Sequence, residues 1–171
     1  MGSTSLGMVN QKLAYTRALL VQLQALPEAN TGQRMARQAL LDAGSFHLVC
    51  AYRHYLRELA EHYALTQVAN INTENDLQQA LLAQGKSPAE LHELQELRRQ
   101  RDSWLTQLHT SYEACWCLSD QKPAVHSAGR IQALDLEAAA APVVMTEERL
   151  QGACQALEEL IARQRESVTE W

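Results

Sequence analysis

Glycine and proline are scarce in this chain, seven and four among 171 residues, so few positions force a helix to stop. Apolar runs are short. None approaches the ~18 consecutive residues a membrane-spanning helix needs, which excludes a transmembrane segment. The chain does not open with a basic region followed by an apolar stretch, so it carries no secretory signal of that form. A glycine-rich phosphate loop, a dinucleotide fingerprint and a Ser/His/Asp ordering cue are all missing, which disfavours catalysis by a familiar route. Positive charge is in deficit: 15 Lys and Arg stand against 20 Asp and Glu, a net charge of −5. That balance gives no general pull toward nucleic acid or an anionic membrane. No CxxC pair occurs among the four cysteines (Cys50, Cys115, Cys117 and Cys154), and Cys115-Trp116-Cys117 is too closely spaced for a redox or zinc motif. Reduced, packed thiols in a cytoplasmic protein are the expectation.

What fills the chain is Leu and Ala, with Gln, Glu and Arg at the polar positions, a strongly helix-forming mixture. A chain of 171 residues fits one domain that buries about two-thirds of its unfolded surface. Residues 1–7 are small and polar; they read as a leader or disordered N-terminus ahead of Met8, and residues 8–171 as a single helical-bundle domain. The first helix is expected over about residues 9–26, closed by Pro27. The second runs over about 33–65, with Ala43-Gly44-Ser45 offering a place where a neighbouring helix can approach closely. Thr73 opens a short helix ending near Gln84, with Gly85 as its C-terminal cap. Ser87-Pro88-Ala89-Glu90 starts a long third helix reaching about residue 118, with a seam of Leu91, Leu94, Leu97, Arg101, Leu105, Leu108, Tyr112 and Cys115. The fourth begins at Thr146 and buries Leu150, Cys154, Leu157, Leu160, Ile161 and Val168. Residues 119–145, with Pro123, Gly129 and Pro142, form a long irregular connection in which 131–136 lie extended. The expected fold is all-α: a four-helix bundle with one short extra helix and a long irregular connection before the last helix.

Polar chemistry concentrates on one flank of the second helix. At 100° per residue His47, Cys50, His54, Glu58, Glu61 and His62 share about a third of its circumference, opposite Leu41, Leu48, Tyr52, Leu59 and Tyr63. No histidine follows a glutamate at the Glu-x-x-His spacing, which excludes the usual ferritin-like di-iron pattern. His54, Glu58 and His62 remain weak candidates for a mononuclear metal site, and no cofactor is expected. Arg101, on the seam of the third helix, needs a partner if buried, and Glu58 or Glu61 are the natural acids for it. The run Arg98-Arg99-Gln100-Arg101 follows Glu93 and Glu96, so helix-surface ion pairs account for it. Tyr15, Tyr52, Tyr55, Tyr63, Trp104, Tyr112 and Trp116 are expected in the core or at its edge.

Arg57 and His62 spell Arg-x4-His, which resembles the active-site motif of the HEPN ribonuclease superfamily, also helical bundles. That resemblance implies a phosphate-binding Arg57 and an acid/base His62, although five residues of separation turn the two about 140° apart. A second resemblance spans nearly the whole chain. Asn10-Gln11-Lys12, Ser45-Phe46-His47-Leu48 and Arg165-Glu166-Ser167-Val168-Thr169-Glu170 look like an uncharacterised family of small helical proteins from gammaproteobacteria, a domain of unknown function. It implies a bacterial, cytoplasmic setting and no mechanism. The function expected is that of a non-catalytic helical bundle acting on an unknown protein partner, with a homodimer in view; the alternative is an RNA-directed HEPN-like bundle.

Overall fold

The computed structural model describes residues 4–117 and 144–169; the expectation of an extended 131–136 lies outside the described residues. The chain is all-α. Helix α1 spans Ser5–Ala25, and the Thr4 side chain caps it by accepting from the Gly7 N–H at 3.2 Å. This cap starts the helix four residues before the expected Val9, so Ser5, Leu6 and Gly7 form its first turn instead of standing outside the fold. The chain leaves the helix at Leu26, whose extended backbone precedes Pro27.

Helix α2, Thr31–His62, is capped by Asn30, which accepts from the Gln33 N–H at 2.9 Å. Its apolar side is buried as the periodicity predicts, with Leu41, Leu48, Tyr52 and Leu59 joined by Tyr55 and Leu56. After a 3-10 turn at Val68–Asn70 comes α3, Glu74–Leu82, opened by a reciprocal capping box between Thr73 and Asp76. Gly85 follows at φ +67°, a left-handed conformation suited to glycine.

The expected third long helix is two helices. Helix α4 spans Ala89–Arg99 and α5 spans Trp104–Ala114. Ser103 makes the break. Its side chain accepts from the Thr106 N–H at 3.1 Å to start α5, and its hydroxyl donates back to the Leu97 carbonyl at the end of α4. The N-cap of α4 is Pro88, without a side-chain capping bond, where the sequence suggested Ser87. Helix α6, Glu147–Thr169, begins with the Thr146 hydroxyl accepting from the Arg149 N–H at 3.3 Å. Leu150, Cys154, Leu157, Leu160 and Ile161 are buried as expected, and the expected burial of Val168 lies outside the described residues.

Contacts run α1 to α2, α2 to α5, α5 to α6 and α6 to α1, with α2 also touching α6 across this ring. That arrangement fits a four-helix bundle, flanked by α3 and α4. Among the described residues no helix is long and apolar enough to cross a membrane.

Candidate functional site

The polar flank of α2 is divided by the fold into two environments. Its C-terminal part, Glu58, Glu61 and His62, lines an open groove of about 510 Å³ together with Leu6, Leu59, Tyr55, Gln164 and Arg165. Arg165 of α6 donates to both oxygens of Glu58, from Nε at 2.7 Å and Nη2 at 2.8 Å. This is a forked pair on planar groups. The Ser5 hydroxyl donates to Glu61 at 2.6 Å. Tyr55 donates to Gln164 Oε1 at 2.6 Å, and burial pushes its hydroxyl well above the usual tyrosine range. Gln164 in turn donates to Glu93 at 2.8 Å. The groove therefore presents apolar walls and a rim of carboxylates that already have donors, an arrangement suited to holding apolar groups rather than to moving protons.

The ion pair expected between Glu58 or Glu61 and Arg101 is not formed. Arg101 lies exposed in the turn between α4 and α5, because the helix on whose seam it was placed ends at Arg99. Glu58 takes Arg165 instead, and Glu61 takes Ser5. The basic run is tied to acids as expected in kind: Arg99 pairs with Glu96, while Arg98 Nε lies 3.4 Å from Glu74. Among the described residues no group of three His, Cys, Asp or Glu side chains could hold a metal ion. His54, Glu58 and His62 are thus not brought together as ligands, and Glu58 is already occupied by a guanidinium. Nor do Arg57 and His62 share a cleft. Arg57 donates to the Ile71 carbonyl at 2.9 Å and to Asn72 Oδ1 at 2.8 Å, holding the turn ahead of α3. His62 faces the groove, edge-on to Tyr63.

The N-terminal part of the flank belongs to a different surface. Ring contacts run from α1 across α2 to α5: Tyr15 to His47 at 5.2 Å, His47 to Phe46 at 5.3 Å, Phe46 to Tyr112 at 6.3 Å, and Tyr112 to Trp116 at 6.1 Å. Tyr15, Phe46 and Trp116 are 43%, 42% and 72% exposed, so the expectation of Tyr15 and Trp116 as core or edge residues gives way to an open aromatic strip. Cations lie against it. Lys12 Nζ is 5.4 Å from the Tyr15 ring centre, and the Arg53 guanidinium carbon is 5.6 Å from that of Tyr112.

Arg53 is half-buried, and its Nε is buried without a hydrogen-bond partner. His47 Nδ1 and His109 Nε2 are buried and unpartnered in the same way. The local field is positive. His47 titrates below the usual histidine range, through burial and then the Lys12 charge; His54 does so through burial, then Arg57 and Lys12. His109, packed edge-on to Tyr52 at 5.5 Å, is held down to about 3 by burial, then by Arg98 and Arg53. At Cys50 burial raises the thiol, while Lys12, Arg53 and Arg57 all oppose the rise.

Sequence reasoning treated Tyr15, Tyr112 and Trp116 as packing and passed over Phe46 and Arg53. One signal was available. Phe46, Cys50, Arg53 and Arg57 recur at i, i+4, i+7 and i+11 on the side of α2 opposite its leucines, so an aromatic and two arginines share its solvent ridge.

No curated protein and no solved structure matches the chain. A family model matches it from end to end, residues 1–171, and the chain belongs to that family, a family of unknown function (DUF6586).

Proposed function

We propose that the chain is a non-catalytic binding module that works through contact with another protein. The observation that carries this reading is the gathering of exposed aromatics: among the described residues Tyr15, Phe46 and Trp116 all fall on the face made by α1, α2 and the end of α5. Exposed apolar surface that is contiguous marks contact sites, and interfaces are enriched in Trp, Tyr, Phe and Arg. The groove beside α6 supports the same reading, because its carboxylates are engaged by Arg165 and Ser5. A bacterial, cytoplasmic setting is part of the proposal. It rests on the four unpaired thiols, Cys50, Cys115, Cys117 and Cys154, and on the family resemblance.

Quantitative affinity capture compares the wild-type chain with the Phe46→Ser/Trp116→Ser double variant. Both substitutions remove exposed rings, so the bundle keeps its melting temperature. A defined set of proteins held by the wild type and lost by the variant is the expected result; identical capture profiles overturn the reading.

A further inference from the structure

We infer that the α1–α2–α5 face docks an acidic segment of a partner protein, with a carboxylate of that segment pairing to Arg53. The inference rests on the protein-contact reading and adds the chemistry of the partner. Among the described residues five arginines are half-buried: Arg37, Arg53, Arg57, Arg98 and Arg165. Four are satisfied. Arg37 pairs with Glu147 at 2.8 Å and donates to the Leu23 and Leu26 carbonyls. Arg57 holds Ile71 and Asn72, Arg98 lies on Glu74, and Arg165 forks onto Glu58. Arg53 alone among them has no hydrogen bond and no carboxylate; its contact is the face of Tyr112.

The Arg53 Nε–H is buried without an acceptor, which is unfavourable. Here it lies within a strip of exposed rings, beside Lys12 and in the positive field felt by Cys50 and His109. An arginine lying over a tyrosine beside exposed aromatics has the composition of an interface hot spot. An acid at the edge of this face, Asp42, accepts from Gln38 at 2.8 Å, and its charge helps raise the Cys115 thiol. Among the described residues no carboxylate pairs with Arg53, and a carboxylate of a docked partner segment would complete it.

Two other occupants fit less well. A second copy docked about a two-fold axis through Arg53 would set Lys12 and Arg53 against the same cations. A nucleic-acid strand needs a track of available cations, whereas the forks of Arg57 are occupied and the chain carries a net charge of −5.

The test is an array of 12-residue peptides with constant apolar content and a rising number of Asp and Glu residues. It is probed with the full chain and with its Arg53→Met and Arg53→Lys variants, each checked by its melting curve. Binding that rises with carboxylate number, falls at least tenfold in Arg53→Met and partly returns in Arg53→Lys supports the proposal. Absence of binding, binding indifferent to carboxylates, or binding unaltered in Arg53→Met overturns it. So does tighter binding of a 12-nucleotide single-stranded DNA, or a self-association that Arg53→Met abolishes. Captured proteins that depend on Phe46 and Trp116 but not on Arg53 would sink this inference and leave the protein-contact reading standing.

Discussion

His109 links its burial to acid stability. In the unfolded chain its imidazole titrates near the ordinary 6.5; in the fold it is held down to about 3, by burial first and by Arg98 and Arg53 next. Below 6.5 the unfolded state therefore binds a proton that the folded state refuses, and stability falls as pH falls from 6.5 toward 3. The slope is up to about 1.4 kcal/mol per pH unit for this one group. Urea melts at pH 7, 5.5 and 4.5 should show the wild type losing stability more steeply than His109→Leu; parallel slopes would refute the coupling. The half-buried ion pair between Arg165 and Glu58 is a second matter at this scale. Arg165→Met strands Glu58, whose side chain is only 15% exposed, and is expected to lower stability by roughly 1–3 kcal/mol. Arg101→Met touches an exposed turn and should leave the melting temperature within about a degree. Equal effects of the two substitutions in thermal melts would remove the claim that Arg165 is the partner.

Between elements, α6 packs closely on α2 at Gly44. A Cβ built on Gly44 would come 2.5 Å from Leu150 Cδ2, and Leu150 is fully buried, so that side chain has to leave its place in the core. Overpacking of this kind costs about 1–3 kcal/mol, against about 1 kcal/mol gained by replacing a helical glycine. Gly152 of α6 has nothing within 4 Å of its Cβ position. Gly44→Ala is therefore expected to lower the melting temperature and Gly152→Ala to raise it by the helix-propensity gain; denaturation curves in which both rise would show that Leu150 yields freely. The Ala43-Gly44-Ser45 run announced this approach in the sequence, because small residues are what close helix contact requires. The α4–α5 break was announced less clearly. Leucine spacing continues through Leu97, Leu105 and Leu108 across it, and that periodicity outweighed the one local cue, a serine able to cap at position 103. Heptad spacing records which residues face the core; it does not record whether the backbone between them stays helical.

At the scale of the molecule, the burial pattern of each long helix was legible because it is written along a single element. Leu48, Leu59, Leu157 and Ile161 repeat with the helical period and are buried. The aromatic strip was not legible, since Tyr15, Phe46 and Trp116 come from three different segments and meet only when α1 and α5 flank α2. Net charge misled for a related reason. The value of −5 is a sum over the chain, while the acids are unevenly placed. Glu58, Glu93, Glu147 and Glu158 are tied to Arg165, Arg163, Arg37 and Arg17 on surfaces involving α6. Glu74 and Glu96 hold Arg98 and Arg99 on the α3–α4 side. Among the described residues Lys12 and Arg53 are the cations that lie over the rings of the aromatic face, so an acidic protein places positive charge where its exposed rings collect. Composition gives no general pull toward polyanions. It leaves room for the proposed acidic partner at Arg53, whose Nε is buried without an acceptor where α2 packs against α5.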